Sequence, residues 1–254
     1  MDRNLTTSLY FCLLLAFISS PVRADAIAKV ILSVGENKAF DPSNQQRSLK
    51  RKDSVFPGDR LVTAERSRLQ LRFNDNSRMS MMPETEFVVD QHQTANDDSA
   101  KAVYRLLRGG MRTLTGQIAQ KSPQNYQVDA VVATIGVRGT VYELYLCDAL
   151  CKQKKGLDEG LYCRVLEGEI TATSDAEEAS IMAGKQYFIG MDQQTRWLKK
   201  WPSALAEVSE GFAGDSSLLD NPLPPVLDPN QQPGVDINDL SPRSPGNNRY
   251  GPKP

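Results

Sequence analysis

The chain has 254 residues, 40% hydrophobic and 24% charged, with a formal net charge of -1, an ordinary globular composition for one or two domains. Charges of both signs are interspersed, which argues against nucleic acid or an anionic membrane surface as the partner. The single histidine, His92, excludes a multi-histidine metal site and weighs against a histidine-based catalytic triad.

At the amino terminus, Arg3 precedes an apolar run over residues 9–18 and then Val22-Arg23-Ala24. The run is too short to span a bilayer, and small residues follow it where a signal peptidase cuts. Residues 1–24 are therefore read as a cleaved signal peptide, which places the mature protein in the periplasm or outside the cell. Cys12 lies within the apolar run and not just after it, so it does not mark lipid attachment. No later stretch is long and apolar enough for a transmembrane segment.

Residues 27–34 read as a first strand. The polar stretch 36–53, with Arg47, Lys50, Arg51 and Lys52, reads as a long solvated loop that could be hairpin-like; its basic cluster could bind an anionic glycan or phosphate, but a solvated face is preferred. Pro57-Gly58-Asp59 turns into a strand over 60–63. Leu69, Leu71 and Phe73 then alternate with Arg68, Gln70 and Arg72, the signature of a half-buried strand. Asn74-Asp75-Asn76-Ser77 supplies a tight turn, and Met79 and Met81 point into the core from the return strand. Further strands are expected at 86–90, 102–108, 111–115, 126–128, 133–135, 141–146, 162–166, 169–173, 178–183 and 186–189. Glycines separate them, and the recurring glycine-between-strands pattern suggests stacked, glycine-hinged segments. The fold class is thus all-β over residues 25–190, followed by a short helical or irregular extension over 191–220. Residues 221–254, rich in Pro and Asn, read as a disordered tail.

With Cys12 removed, Cys147, Cys151 and Cys163 remain, and in an oxidising compartment two of them are expected to pair. Cys147–Cys151 would pin a loop at a strand end; Cys147–Cys163 would staple neighbouring strands. The longer loop gains more chain entropy, roughly 3 against roughly 2 kcal/mol, but geometry decides and both pairings stay open. Three thiols with no nearby histidine make a poor zinc site, so no metal or cofactor is expected. Trp197 and Trp201 could form a ligand-stacking platform or cap the edge of the core, and the latter is preferred.

The most specific stretch is Ala133-Thr134-Ile135-Gly136-Val137-Arg138-Gly139-Thr140-Val141-Tyr142. It resembles the glycine-x-arginine-glycine-threonine element of the FecR family. Gly58, Asp59 and Thr63 match that family's upstream element, and Asp75 and Ser77 match its hairpin, with Asn76 where glycine is usual. Gly136 and Gly139 are expected to let the backbone turn a sheet corner. Arg138 is either a ligand anchor or a clamp on that corner, and the clamp is preferred.

The resemblance implies a FecR-type two-layered sheet. Founding members of the family relay an outer-membrane signal through an anti-sigma segment and a spanning helix, and neither is evident here. Adjacent carboxylates such as Asp158-Glu159 and Glu177-Glu178 point to opposite faces of a strand, and no nucleophile motif or phosphate loop appears. The expected function is a non-catalytic envelope module that binds a protein or glycan. The alternatives are a sensory accessory in envelope signalling and an enzyme with an unrecognised site.

Overall fold

The computed structural model describes residues 25–206, apart from 96 and 98. The expected signal peptide, Cys12, the end of the 191–220 extension and the expected tail from 221 lie outside the described residues.

Strand β1 (Ala28–Val34) leads into β2 (Asn37–Phe40), β3 (Gln46–Ser48), β4 (Ser54–Val55), β5 (Arg60–Thr63), β6 (Arg68–Phe73), β7 (Arg78–Met81) and β8 (Glu86–Gln93). Strands β9 (Lys101–Leu114), β10 (Tyr126–Ala130), β11 (Ala133–Cys147) and β12 (Gly160–Thr173) follow, then β13 (Glu178–Met182), β14 (Gln186–Gly190) and β15 (Thr195–Trp197). The stretch 36–53, expected as a solvated and hairpin-like loop, is the β2–β3 hairpin, but not wholly solvated: Asn37, Ala39 and Leu49 are buried. Its Lys50, Arg51 and Lys52 are exposed, but Arg47 turns inward to Asp59. An inward ion pair of this kind depends on a distant partner and leaves no local signature.

Three pairs of expected short strands fuse into the long β9, β11 and β12. Gly109 (φ 73°), Gly139 (φ 60°) and Gly168 (φ 76°) sit inside them and bend the ladder without ending it. Each of these strands changes partners along its length. The first half of β9 pairs with β8 and, in parallel, with β10; its second half pairs with β7 and β11. Strand β12 pairs with β13 beyond Gly168 and with β14 before it. The glycine-hinged stack is therefore one open, mixed sheet bent over on itself. Val128, Ile135 and Leu106 from one layer meet Leu71, Met111 and Leu144 from the other in a single core.

Two short α-helices among the described residues stand where no helix is expected. Helix α1 (Gln117–Lys121) has no side-chain cap of its own; the Asp75 carbonyl accepts from Gln117 N at 2.9 Å. Helix α2 (Ala149–Lys155) starts at Asp148, whose carboxylate accepts from Cys151 N at 2.9 Å, and stops at Gly156 with φ 65°. Aspartate before and glycine after are ordinary helix signals, overlooked because the segment is only seven residues long. On the outward face of β11 and β12, α2 and the start of the extension cover a second cluster of Met82, Tyr145, Tyr162, Phe188, Trp201 and Leu205.

Candidate binding surface

The motif residues are placed by the sheet corners and are satisfied there. Asp59, 1% exposed, accepts from Phe56 N at 2.8 Å and from the fork of Arg47, one arm at 2.9 Å. Gly58 takes φ 82° beside Pro42 and donates its N–H to Val89 O at 2.7 Å. Thr63 Oγ1 donates to Met82 O at 2.6 Å and accepts from Thr85 N at 2.9 Å. Asp75 accepts from Ser77 N and Oγ at 2.9 and 2.6 Å across the turn in which Asn76 takes φ 66°. A buried polar group fully bonded within its own corner stabilises geometry and has little left to offer a ligand.

At the third corner two expectations change. Arg138 is exposed, and its guanidinium makes no hydrogen bond or ion pair among the described residues, so it is not the clamp. The clamp is Thr140: its hydroxyl donates to Glu169 O at 2.9 Å and accepts from Arg138 N at 3.2 Å. Its backbone exchanges bonds with Thr115, N to Oγ1 at 2.8 Å and O from N at 3.0 Å. Gly136 also differs from expectation, since nothing lies within 4 Å of the position a Cβ would take. The crowded glycine is Gly168, where an added Cβ would stand 2.4 Å from Gly139 O. Local pattern marks Gly168 only as a glycine between two strands and does not mark Thr115, because each owes its role to a strand far away in sequence.

Trp197 and Trp201 rest on different neighbours and do not form one platform. Trp201, 9% exposed, meets Tyr162 edge-on at 6.4 Å, and Trp197, 55% exposed, meets Tyr187 at 4.8 Å. Cys147 and Cys151 form the disulfide, with Cα atoms 5.2 Å apart. Cys163 is a buried free thiol opposite Leu144 on the core side, and burial pushes its pKa up.

His92 is 5% exposed, inside the core. Its Nδ1 shares a proton with Tyr104 Oη at 2.7 Å, and its ring lies 4.8 Å from that of Phe73. Nε2 stands 3.7 Å from Asp75 Oδ1 and has no hydrogen-bond partner. Burial holds the imidazole below its ordinary range, with Asp75 pulling the other way. Tyr126 and Tyr142 bond to each other at 2.9 Å in the same core.

A cleft of about 530 Å³ opens where the tip of one layer approaches the other. Its lining includes Arg105, Asp129, Val131, Thr134, Asp175 and Gln193. Arg105 is held bidentately by Asp90 at 2.6 and 2.8 Å; Asp129 accepts from Gln127 and Thr134 at 2.7 and 2.8 Å. Glu177, on the neighbouring β12–β13 turn, accepts from the hydroxyls of Thr195 and Tyr187 across the layers, and these bonds hold its carboxyl below the usual range. Val131 closes the two-residue β10–β11 turn, in which Ala130 pairs with Ala133. It adopts φ 46° and is 69% exposed. Positive φ in a β-branched residue is an outlier, and the turn carries none of the Asn-Gly chemistry that normally relieves it.

The sequence over residues 59–171 matches the family described as FecR protein. Residues 59–171 are a FecR domain. Two crystal structures of a candidate anti-sigma factor from Parabacteroides distasonis ATCC 8503, at 1.65 and 2.50 Å resolution, are similar to the chain. Identities are 10% and 11%, each with a TM-score of 0.47 over 60% of this chain. The match spans about 65% of the first of those chains and 64% of the second. No curated protein matches. Among the described residues no helix is long and apolar enough to cross a membrane, and no cluster of metal-ligating side chains occurs. The FecR domain contains the Val131 tip and Arg105, whereas Asp175, Gln193 and β13–β15 are added beyond it in the same sheet.

Proposed function

We propose that the protein is an exported, non-catalytic binding module of the cell envelope, with the FecR domain as scaffold and the cleft beside Val131 as its contact surface. Val131 carries this reading. A strained φ costs on the order of 1–3 kcal/mol and persists where the surroundings or a function require it; here an apolar side chain is held out at a cleft mouth. The leader over residues 1–24 supports export, and the Cys147–Cys151 disulfide accords with an oxidising compartment. Among the described residues the lining has no aromatic ring on which a sugar could stack, which favours a protein partner over a glycan.

The test compares the mature protein and Val131→Asn as baits in extract of the native envelope. Asparagine tolerates positive φ, so the variant is expected to melt higher than the parent yet lose the protein that the parent retains. Equal retention by both baits would overturn the reading, and co-sedimentation with peptidoglycan would redirect it to a glycan. The FecR domain also supports a second reading, a sensory accessory in envelope signalling. A receptor or sensor as the retained protein would favour it.

A further inference from the structure

Strand β1 holds an apolar row outward at the rim of the sheet. It pairs with β6, whose Leu69, Leu71 and Phe73 face the core and whose Gln70 and Arg72 therefore face outward. Directly opposed residues share a face, so Lys29, opposite Arg72, Leu32, opposite Gln70, and Val34 two residues on point outward as well. The register slips between Val30 and Leu32, and Ile31 is the extra residue of that bulge. Leu32 is 37% and Val34 49% exposed, and Ile31 is partly buried. On the other side of β1, β4 pairs only with Ala28 and Lys29, so among the described residues no strand flanks the row there.

Cations flank this row on both sides. Two clefts, of about 420 and 490 Å³, meet at Lys29 and Ile31; Arg51 and Lys52 line the first and Arg72 the second, and no carboxylate lines either. Among the described residues Lys29, Arg51, Lys52 and Arg72 form no ion pair. Lys29 Nζ donates to Ser54 Oγ at 2.7 Å and Arg72 Nη2 to Asn76 Oδ1 at 2.9 Å, both neutral acceptors. Lys29 and Arg72 are directly opposed in register, where like charges repel. Lys52 is held out at a further cost. In the turn 50–53, closed by Asp53 N to Lys50 O at 3.0 Å, it takes φ 79°, where glycine or asparagine is usual. Its N–H donates to Val30 O at 2.8 Å, which fixes this lysine against β1. The nearby Asp53 carboxylate is turned back to Lys50 N at 2.7 Å.

Charges of both signs are interspersed along the chain, but the fold gathers these cations around exposed apolar side chains. Because they come from three segments and lie on both sides of the row, they suit a layer of anionic headgroups better than one bound anion. Apolar side chains bordered by cations are also what a surface needs to enter the boundary between headgroups and acyl chains. We propose that this rim of β1 docks on an anionic lipid bilayer, with Ile31, Leu32 and Val34 at the headgroup boundary and Lys29, Arg51, Lys52 and Arg72 among the lipid phosphates. The rim and the Val131 cleft lie on different elements, so either reading can fail without the other.

The experiment is co-sedimentation of the mature protein with vesicles of phosphatidylethanolamine and phosphatidylglycerol, set against vesicles of phosphatidylcholine alone. The parent is expected to bind the anionic vesicles and to leave them as salt shortens the screening length. Lys52→Asn accepts the positive φ, so it should melt no lower than the parent yet bind about fivefold more weakly, the worth of one cation at such a surface. Arg51→Glu/Lys52→Glu should weaken binding about thirtyfold or more, and Leu32→Ser/Val34→Ser about tenfold. Absence of binding by the parent, equal binding to both kinds of vesicle, or charge variants that bind like the parent would overturn the proposal. Binding that needs the cations but not Leu32 and Val34 would assign the face to a soluble polyanion or an acidic protein and overturn the bilayer. If a double variant does not fold, Lys52→Asn and the comparison of vesicles decide the matter.

Discussion

The corner at Gly139–Gly168 and the hairpin tip at Val131 both reverse the chain sharply, and the molecule handles them in opposite ways. At the corner, two glycines take the positive φ, and Thr140 with Thr115 closes the backbone hydrogen bonds around them. At the tip, a valine takes φ 46° in a two-residue turn and stays exposed. The corner is relaxed and belongs to the element that carries the family resemblance; the tip is strained. Residues that mark the family therefore shape the scaffold, and individual chemistry sits where a local rule is broken.

The contrast breaks most visibly at the corner glycines. Gly168→Ala puts a Cβ against Gly139 O at φ 76°, and a loss of about 3 kcal/mol or more is expected in chemical denaturation. Gly139→Ala meets no neighbour within 4 Å and should cost only the left-handed backbone, about 1–2 kcal/mol. Equal losses would mean that crowding does not shape the corner. Next in size, Thr140→Val removes the bonds to Glu169 O and from Arg138 N and should cost about 2 kcal/mol. Arg138→Ala should stay within about 0.5 kcal/mol; the reverse order would restore the arginine as clamp.

Acidification offers a smaller effect. His92 has its pKa lowered by burial, so the unfolded chain takes up a proton first. Stability is then fully present above the ordinary histidine value, near 6.5, and falls as pH drops below it towards the lower folded value. One such group contributes at most about 1.4 kcal/mol per pH unit. His92→Gln should flatten this part of the profile, and an unchanged slope would remove the histidine as its cause. Val131→Asn is expected to raise stability by about 1 kcal/mol in the same denaturation series. A decrease would mean that the valine is packed and not strained.

Much of the scaffold could be read from local pattern. The alternation of Leu69, Leu71 and Phe73 with Arg68, Gln70 and Arg72 named β6 and its buried face, and Asn74–Ser77 named the turn. The candidate cleft could not be read this way. Val131-Val132 looks like strand interior, and the lining joins Arg105 to Gln193 across the bend of the sheet. Arg47 looks like one of a solvated cluster in the sequence because its partner Asp59 lies twelve residues away. The cysteine pairing stayed open for a similar reason: Cys147 and Cys163 lie on neighbouring strands, but Cys163 faces the core and Cys147 the outward cluster.

The sequence by itself determined the strand class, the FecR domain and the positions where the chain needs glycine, because period-two alternation and positive φ are properties of a few adjacent residues. Only the tertiary structure decided that Gly168 and not Gly136 is crowded, that Thr140 holds the corner Arg138 was expected to hold, and that His92 is sealed beside Asp75. Those outcomes depend on which distant segments the bent sheet brings within a few ångströms, and no local pattern encodes that distance.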